Sequence, residues 1–337
     1  MDDLDKELLN EIQWSFPLVE KPFDALAKKF DIPSETIKEK LQQLKESGVI
    51  RQLSAIFDTR RLGYKSSLVA MTVEVDKLID VANIINKHPG VSHNYERNHD
   101  FNLWFTIATP PGTNVKTEVD KFSKLSGVKA TRMLPTIQMF KIGVKLDMSE
   151  KNKREIKPSE EKKKIVKVDF VASEEDKNYI RELQKDLEIS DRPFLKAAEK
   201  LGVSEEQLFE KARYYESIGV MRRYAAILRH RDAGFIANGM IVWKVPEDRI
   251  QEVGENLGAF PQVSHCYQRP SYPDWPYNVF SMIHCKSKDE AGEVAKIIQN
   301  QIHVDEYRIL FSEREFKKTR VEYFVENDFS IEQVIPN

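Results

Sequence analysis

Leu4, Leu8, Leu9 and Ile12 recur at helical spacing and predict a first helix over about residues 2–15. Leu26 and Phe30 mark a second, short helix within PFDALAKKF. Ser34 is placed to cap a third, whose apolar face carries Ile37, Leu41 and Leu44 and which stops at Gly48. Helix, the tight turn DIPS and helix form a helix-turn-helix. Past Gly63 the period falls toward two. SLVAMTVEV predicts a strand, DKLIDVANIINKH a helix, GVSHNYER and NLWFTIAT two strands, VKTEVDKFSKL a helix, and KATRMLPTIQMFK a closing strand. The order βαββαβ is ferredoxin-like, with helices on one sheet face and the other face left to find a partner.

The pattern then repeats. A shift of 171 residues places PFDALAKKF (from Pro22) on PFLKAAEKL (from Pro193). ESGVIRQLSAI (from Glu46) meets ESIGVMRRYAAI (from Glu216), Gly63 meets Gly234, and HPGVSHNYER (from His88) meets FPQVSHCYQR (from Phe260). The chain is a tandem duplication in which the second copy can cover the first copy's open sheet face, an internal pseudo-dimer that leaves further homo-oligomer formation open. The expected organisation is a helix-turn-helix over 1–62, an α+β domain over 63–148, a linker over 149–170, a second helix-turn-helix over 171–233, a second α+β domain over 234–318 and a tail over 319–337. The linker, from Ser149 onward, is dense in charge, poor in apolar residues and broken by Pro158.

Composition narrows the partners. Of 337 residues 41% are hydrophobic, which supports packed cores, and 52 Lys+Arg nearly cancel 54 Asp+Glu, which is no polyanion-binding signature. No apolar run reaches the length of a membrane span, and the acidic amphipathic start MDDLDKELLNEIQ is unlike a secretory signal. Cys266 and Cys285 lack ligand spacing, so a reduced, cytoplasmic setting without structural zinc is expected.

A DNA-reading helix should present cations to phosphate. SETIKEKLQQLKES carries three acidic and three basic residues, and SEEQLFEKARYYES four acidic and two basic. The helix-turn-helix reads as a retained scaffold. Gln42, Gln43 and the lysines keep a DNA-binding regulator as the competing function.

The sharpest chemical signal is H-x-Y-x-R on a strand in both halves. Alternate strand residues share a face, so His93, Tyr95 and Arg97 project together, as do His265, Tyr267 and Arg269. Imidazole moves protons near neutral pH and guanidinium grips carboxylates, which suits proton transfer on a carboxylate substrate. Arg51, Arg60 and Arg61 in copy one, with Arg222, Arg223, Arg229, His230 and Arg231 in copy two, form either a solvated basic edge strand or a polyanion cradle. Arg132 adds a charge from the last strand of copy one, and Trp104, Tyr272, Trp275 and Tyr277 could wall a flat apolar ligand. Gly-rich phosphate loops, H-E-x-x-H and G-x-S-x-G are absent from the sequence.

The helix-turn-helix followed by βαββαβ resembles the Lrp/AsnC regulators over nearly all of each half. HNYERNHDFNLWFT and HCYQRPSYPDWPYNVFSMIH, with GVIRQLSAIFDTRRLGY and GVMRRYAAILRHRDAGF, look like the two related subunits of the siroheme decarboxylase family, here in one polypeptide. The resemblance implies an α+β fold of Lrp/AsnC architecture with a winged-helix-like first part. It also implies a carboxy-lyase that removes two acetate carboxyls of siroheme, at C12 and C18, as carbon dioxide. The product would be 12,18-didecarboxysiroheme, an intermediate of alternative haem or d-type haem biosynthesis. On that basis His93 and His265 would be proton donors or face the substrate iron, and Arg97 and Arg269 would hold carboxylates. Tyr95 and Tyr267 would orient or relay, and the arginine cluster, with Trp275, would cradle the macrocycle. The substrate brings its own iron, so no separate cofactor is expected. Asn98 against Pro270, and the longer loop SYPDWPY in copy two, set the halves apart.

Overall fold

The computed structural model describes residues 1–142, 169–228, 237–285 and 287–325. Copy one runs α1 (Asp3–Ile12), α2 (Pro22–Phe30), α3 (Ser34–Glu46), β1 (Ile50–Phe57), β2 (Lys65–Val73), α4 (Leu78–Asn86), β3 (Val91–Arg97), β4 (Leu103–Thr109), α5 (Val115–Phe122), β5 (Val128–Leu134) and β6 (Gln138–Ile142). Copy two runs α6 (Glu174–Leu183), α7 (Leu195–Leu201), α8 (Glu205–Ser217), β7 (Met221–Leu228), β8 (Ala237–Trp243), α9 (Ile250–Ala259), β9 (Val263–Gln268), β10 (Val279–Cys285), α10 (Lys288–Ile302) and β11 (Tyr307–Lys318). The chain sorts by kind rather than by copy. One unit takes Met1–Tyr64 and Leu146–Ala233, the other Lys65–Lys145 and Gly234–Asn337. The expected linker lies almost wholly outside the described residues, as does the tail beyond residue 325.

In the first unit each helix-turn-helix closes with a glycine in the left-handed region, Gly48 at φ 75° and Gly219 at φ 72°, where a side chain would be strained. Ser34 is not the cap of α3. Pro33 holds that position, Ser34 is the first helical residue, and no side chain caps the helix. In copy two Ser204 does cap α8, in a capping box with Gln207. The two motifs are joined by β1 and β7, which pair antiparallel with Leu53 opposite Ala226 and Ala55 opposite Tyr224. MRRYAAIL is thus an edge strand of this two-stranded ribbon, with Arg222 exposed on it and the following residues turned inward. Tyr224, Ala225 and Ala226 are buried in a two-stranded ribbon.

In the second unit two four-stranded sheets, β5-β2-β4-β3 and β11-β8-β10-β9, are joined through β11 and extended by β6 into the continuous order β5-β2-β4-β3-β11-β8-β10-β9-β6. Each copy contributes the four-stranded ferredoxin-like order, with its helices on one face. Val69, Phe105 and Ile107 pack against α4 and α5, and Ile241, Val279 and Ile283 against α9 and α10. The faces without helices meet each other. Ala70, Trp104 and Leu134 of copy one form a third core with Met240, Val242, Phe280 and Leu310 of copy two. Strands buried on both faces read as unbroken apolar runs, which is why LWFTIAT does not alternate.

The copies are joined by exchange of their last strands. β11 pairs through Phe311 with β8 of its own copy, then from Ser312 to Lys318 with β3 of the other. KATRMLPTIQMFK, expected as one strand, is two, and Pro135 stands in the break. β5 pairs with β2, and β6 crosses to β9 of copy two.

His88 and Phe260 occupy the same place in the two copies. Burial pulls the His88 imidazole down to about 4, against a smaller opposite pull from Glu118. Its Nδ1 accepts the Gly90 N–H at 3.0 Å. The folded value lies below the ordinary 6.5, so below that pH the unfolded chain takes up a proton that the folded protein refuses until about 4. The associated stability is present above this window and is lost on descending through it, by on the order of 3 kcal/mol. His88→Phe should flatten the fall in urea midpoint between about pH 7 and about pH 4.5. An unchanged slope would assign the acid sensitivity to other groups.

Candidate active site

Both triplets face the core between the sheets. Tyr95 pairs with Trp104 and His93 with Thr106, while Asn94 pairs with Phe105 on the helix side. Tyr267 pairs with Phe280 and His265 with Met282. The shared face expected from the H-x-Y-x-R spacing is therefore formed in each copy, with bulges just before His93 and His265. The His93 and Tyr95 rings lie 6.2 Å apart and those of His265 and Tyr267 6.1 Å. Each arginine then stacks on its tyrosine, Arg97 at 5.7 Å and Arg269 at 5.1 Å from the ring centroid.

The arginines reach across the repeat. Arg97 Nη1 donates to the carbonyl of Leu310 on β11 at 3.0 Å, and Arg269 Nη1 to the carbonyl of Leu134 on β5. Each guanidinium thus binds the other copy's last strand where it turns away from its own sheet. Arg97 is 9% exposed. Burial lowers both guanidinium groups to about 10, with the adjacent tyrosine opposing in each case, so both stay charged at neutral pH. The Nε of each is buried and makes no hydrogen bond. Among the described residues neither forms an ion pair with a carboxylate. A buried cation left in that state is costly, and a ligand carboxylate is the natural complement.

Asn98 and Pro270 differ for a backbone reason. Where β11 leaves β8, the Phe311 N–H needs an acceptor and takes Asn98 Oδ1 at 2.7 Å. At the matching point after Leu134 the next residue is Pro135, which has no N–H to satisfy, and copy two carries Pro270 in place of the asparagine.

The imidazoles have partners that the spacing did not single out. His93 Nδ1 lies 2.9 Å from Ser92 Oγ and His265 Nδ1 2.9 Å from Ser264 Oγ. Serine before histidine recurs in both copies of VSH, and that repetition was the available signal. His284 also meets Ser264.

Other expected residues are placed differently. Arg132 is held by Asp274 in a two-pronged ion pair, Nε to Oδ1 at 2.8 Å and Nη2 to Oδ2 at 2.5 Å. Its charge closes the SYPDWPY loop onto β5, where Tyr272 also donates to the Met133 carbonyl at 2.6 Å. Trp275 is no wall open to a ligand. It is fully buried, edge-on to Trp104 at 5.2 Å and Phe101 at 5.6 Å, and plugs the core between the sheets. Trp104 and Tyr277 are buried in the same cluster.

Arg51, Arg60, Arg61, Arg222 and Arg223 belong to the first unit, whereas the triplets belong to the second. Arg222 is committed to Asp58, with Nη2 2.8 Å from Oδ2. The other carboxylate oxygen accepts the backbone N–H groups of Arg60 and Arg61, each at 3.0 Å. Arg223 lies over the Trp14 ring at 5.2 Å, and burial, then the charge of Arg222, lowers its pKa. Arg229, His230 and Arg231 lie outside the described residues.

The cations of α3 and α8 are internally paired. On α3, Lys38 meets Asp191 and Glu35, Lys40 meets Asp2 and Asp5, and Lys45 meets Asp186. Gln42 bonds Glu46. On α8, Lys211 meets Asp176 and Arg213 meets Glu206. Cations so engaged have little charge to offer phosphate. Among the described residues no helix is long and apolar enough to cross a membrane, and no group of three metal-ligating side chains converges.

The second unit's duplicated sheet is matched by the family described as AsnC-like ligand binding domain, over residues 61–141 and 232–317. The first unit's helices are matched by the siroheme decarboxylase NirDL-like HTH domain, over residues 5–51 and 176–222. The siroheme decarboxylase of Hydrogenobacter thermophilus is 42% identical over 96% of this chain and 96% of its own length. The siroheme decarboxylase beta subunit of Methanosarcina barkeri, 41% identical, spans 43% of this chain with 96% of its own. Among solved structures, the siroheme decarboxylase NirDL in complex with an iron-uroporphyrin III analogue matches with a TM-score of 0.75 and 37% identity, over 96% of this chain and 95% of that one. The fold and the paired sheet define a duplicated protein of the AsnC-like class, with two subunits fused in one chain. Within that class the chain belongs to the siroheme decarboxylase family.

Trp275→Ala should cost about 3–5 kcal/mol, as for other large aromatic truncations in cores, read as a lowered urea midpoint. A loss below about 1 kcal/mol would mean that the indole is not a packing element.

Proposed function

We propose that this chain decarboxylates siroheme, converting two acetate side chains, at C12 and C18, to methyl groups with release of two molecules of carbon dioxide. The product is 12,18-didecarboxysiroheme, for alternative haem or d-type haem biosynthesis. The observation that carries the reading is the doubled strip of imidazole, phenol and buried guanidinium, in which each Nε lacks an acceptor. A substrate with eight carboxylates supplies anions for two guanidinium charges that no carboxylate among the described residues answers, and charge-assisted hydrogen bonds of this kind are strong.

Arg97 and Arg269 hold carboxylates and so set the macrocycle against the strip. Loss of an acetate carboxyl leaves its bonding electron pair conjugated with the pyrrole. Proton delivery to the macrocycle supplies an electron sink for that pair, and protonation at the methylene then completes the methyl group as the macrocycle gives its proton back. The net change is one proton in and one carbon dioxide out per acetate, with no oxidant or reductant. His93 and His265 deliver the protons, and Tyr95 and Tyr267, between imidazole and guanidinium, orient or relay. Siroheme carries its own iron, so no separate cofactor enters the step. The competing reading, a ligand-responsive DNA-binding regulator, is weakened by the internal pairing of the α3 and α8 cations.

Anaerobic incubation with siroheme, followed by mass spectrometry, should show loss of two carbon dioxide units. His93→Ala and His265→Ala should each slow the conversion by about a hundredfold or more if the imidazole is the acid. Arg97→Ala or Arg269→Ala should raise KM for siroheme. Siroheme left intact by a folded protein would overturn the proposal, and tight, salt-sensitive binding to duplex DNA would then favour the regulator.

A further inference from the structure

The two halves carry the same Ser–His pair on matching strands but differ at the neighbouring rung. In copy two Met282 on β10 pairs with His265, and His284 stands two residues further along. In copy one Thr106 pairs with His93, and the residue two further along is the buried Ala108. Copy one therefore has a methyl group where copy two has a second imidazole.

His284 Nε2 lies 2.8 Å from Ser264 Oγ, and the same oxygen lies 2.9 Å from His265 Nδ1 and 3.3 Å from the Met282 carbonyl. A serine hydroxyl has one proton to donate. It cannot donate to both ring nitrogens, so at least one of the two rings must present an N–H to Oγ. The tautomer of His265 is thereby coupled to that of His284. Ser92 meets His93 at the same 2.9 Å, but with alanine in the second position it imposes no such coupling.

We infer that His284 is a positioning residue which, through Ser264, fixes the ring and tautomer of His265 and makes copy two the half better arranged for proton transfer. The inference rests on the reading of His265 as a proton donor. Burial, reinforced by the charge of Lys318, holds His284 below the usual histidine range, so at neutral pH it meets Ser264 as an uncharged ring. A neutral imidazole can serve as donor or acceptor in the chain from His284 through Ser264 to His265, leaving Nε2 as the other ring nitrogen of His265.

The test compares siroheme decarboxylation by the parent chain, His284→Ala, His284→Gln and Ser264→Ala, together with 15N spectra of the histidine rings in the same proteins. His284→Ala and Ser264→Ala should lower kcat by about tenfold, the loss expected for one positioning hydrogen bond, at unchanged KM. The ring-nitrogen resonances of His265 should shift in both. His284→Gln, which restores a polar group near Ser264, should recover most of the rate. Unchanged kcat with unchanged His265 resonances would overturn the inference. So would a rise in KM alone, or a deficit in a folded His284→Ala that glutamine does not relieve. A parent chain inactive on siroheme would defeat the proposed reaction instead, and the His265 resonances would still decide whether His284 controls that ring.

Discussion

The outer strand of a sheet exposes backbone N–H and C=O groups that need partners. In the second unit β3 and β9 would each be such an edge within their own copy, and each is completed by the last strand of the other. This exchange brings the faces without helices together, turns β3 and β9 from edges into interior strands, and carries both His–Tyr–Arg strips to the face between the sheets. A strip on a free edge would be solvated on all sides. Here it runs from half-buried imidazoles to a buried guanidinium at Arg97 and a half-buried one at Arg269.

The same exchange gives the two arginines a structural role across the repeat. Each binds a carbonyl of the opposite copy at the point of departure, so the site of one half is partly built by the other. That bond uses one Nη and leaves Nε without an acceptor, so the charge is located structurally but not neutralised. Arg132 provides the contrast. Its guanidinium is answered in full by Asp274, and it acts as a latch on a loop.

In the first unit duplication has a different result. The helix-turn-helix pair is held by the β1–β7 ribbon and by ion pairs that occupy the lysines of α3. Lys38 and Lys45 meet acidic groups of the other copy, and Lys40 meets those of its own first helix. The charges that would read a nucleic acid are thus spent on holding the motif together, which agrees with the near balance of the whole chain.

Much of this was legible in the chain alone. Apolar spacing determined the helices and strands, the repeat determined the duplication, and period-two alternation placed His93, Tyr95 and Arg97 on one face, because these are local properties of a pleated or helical backbone. Resemblance to a known family supplied the chemistry that fits them. Tertiary structure alone decided the rest. Residues far apart in sequence settled that Trp275 is core, that Arg132 and Arg222 are already paired, that KATRMLPTIQMFK divides at a proline to serve two sheets, and that His284 joins Ser264. Which donor meets which acceptor depends on how strands from different copies come into register, and a one-dimensional pattern of polar and apolar positions does not encode that pairing.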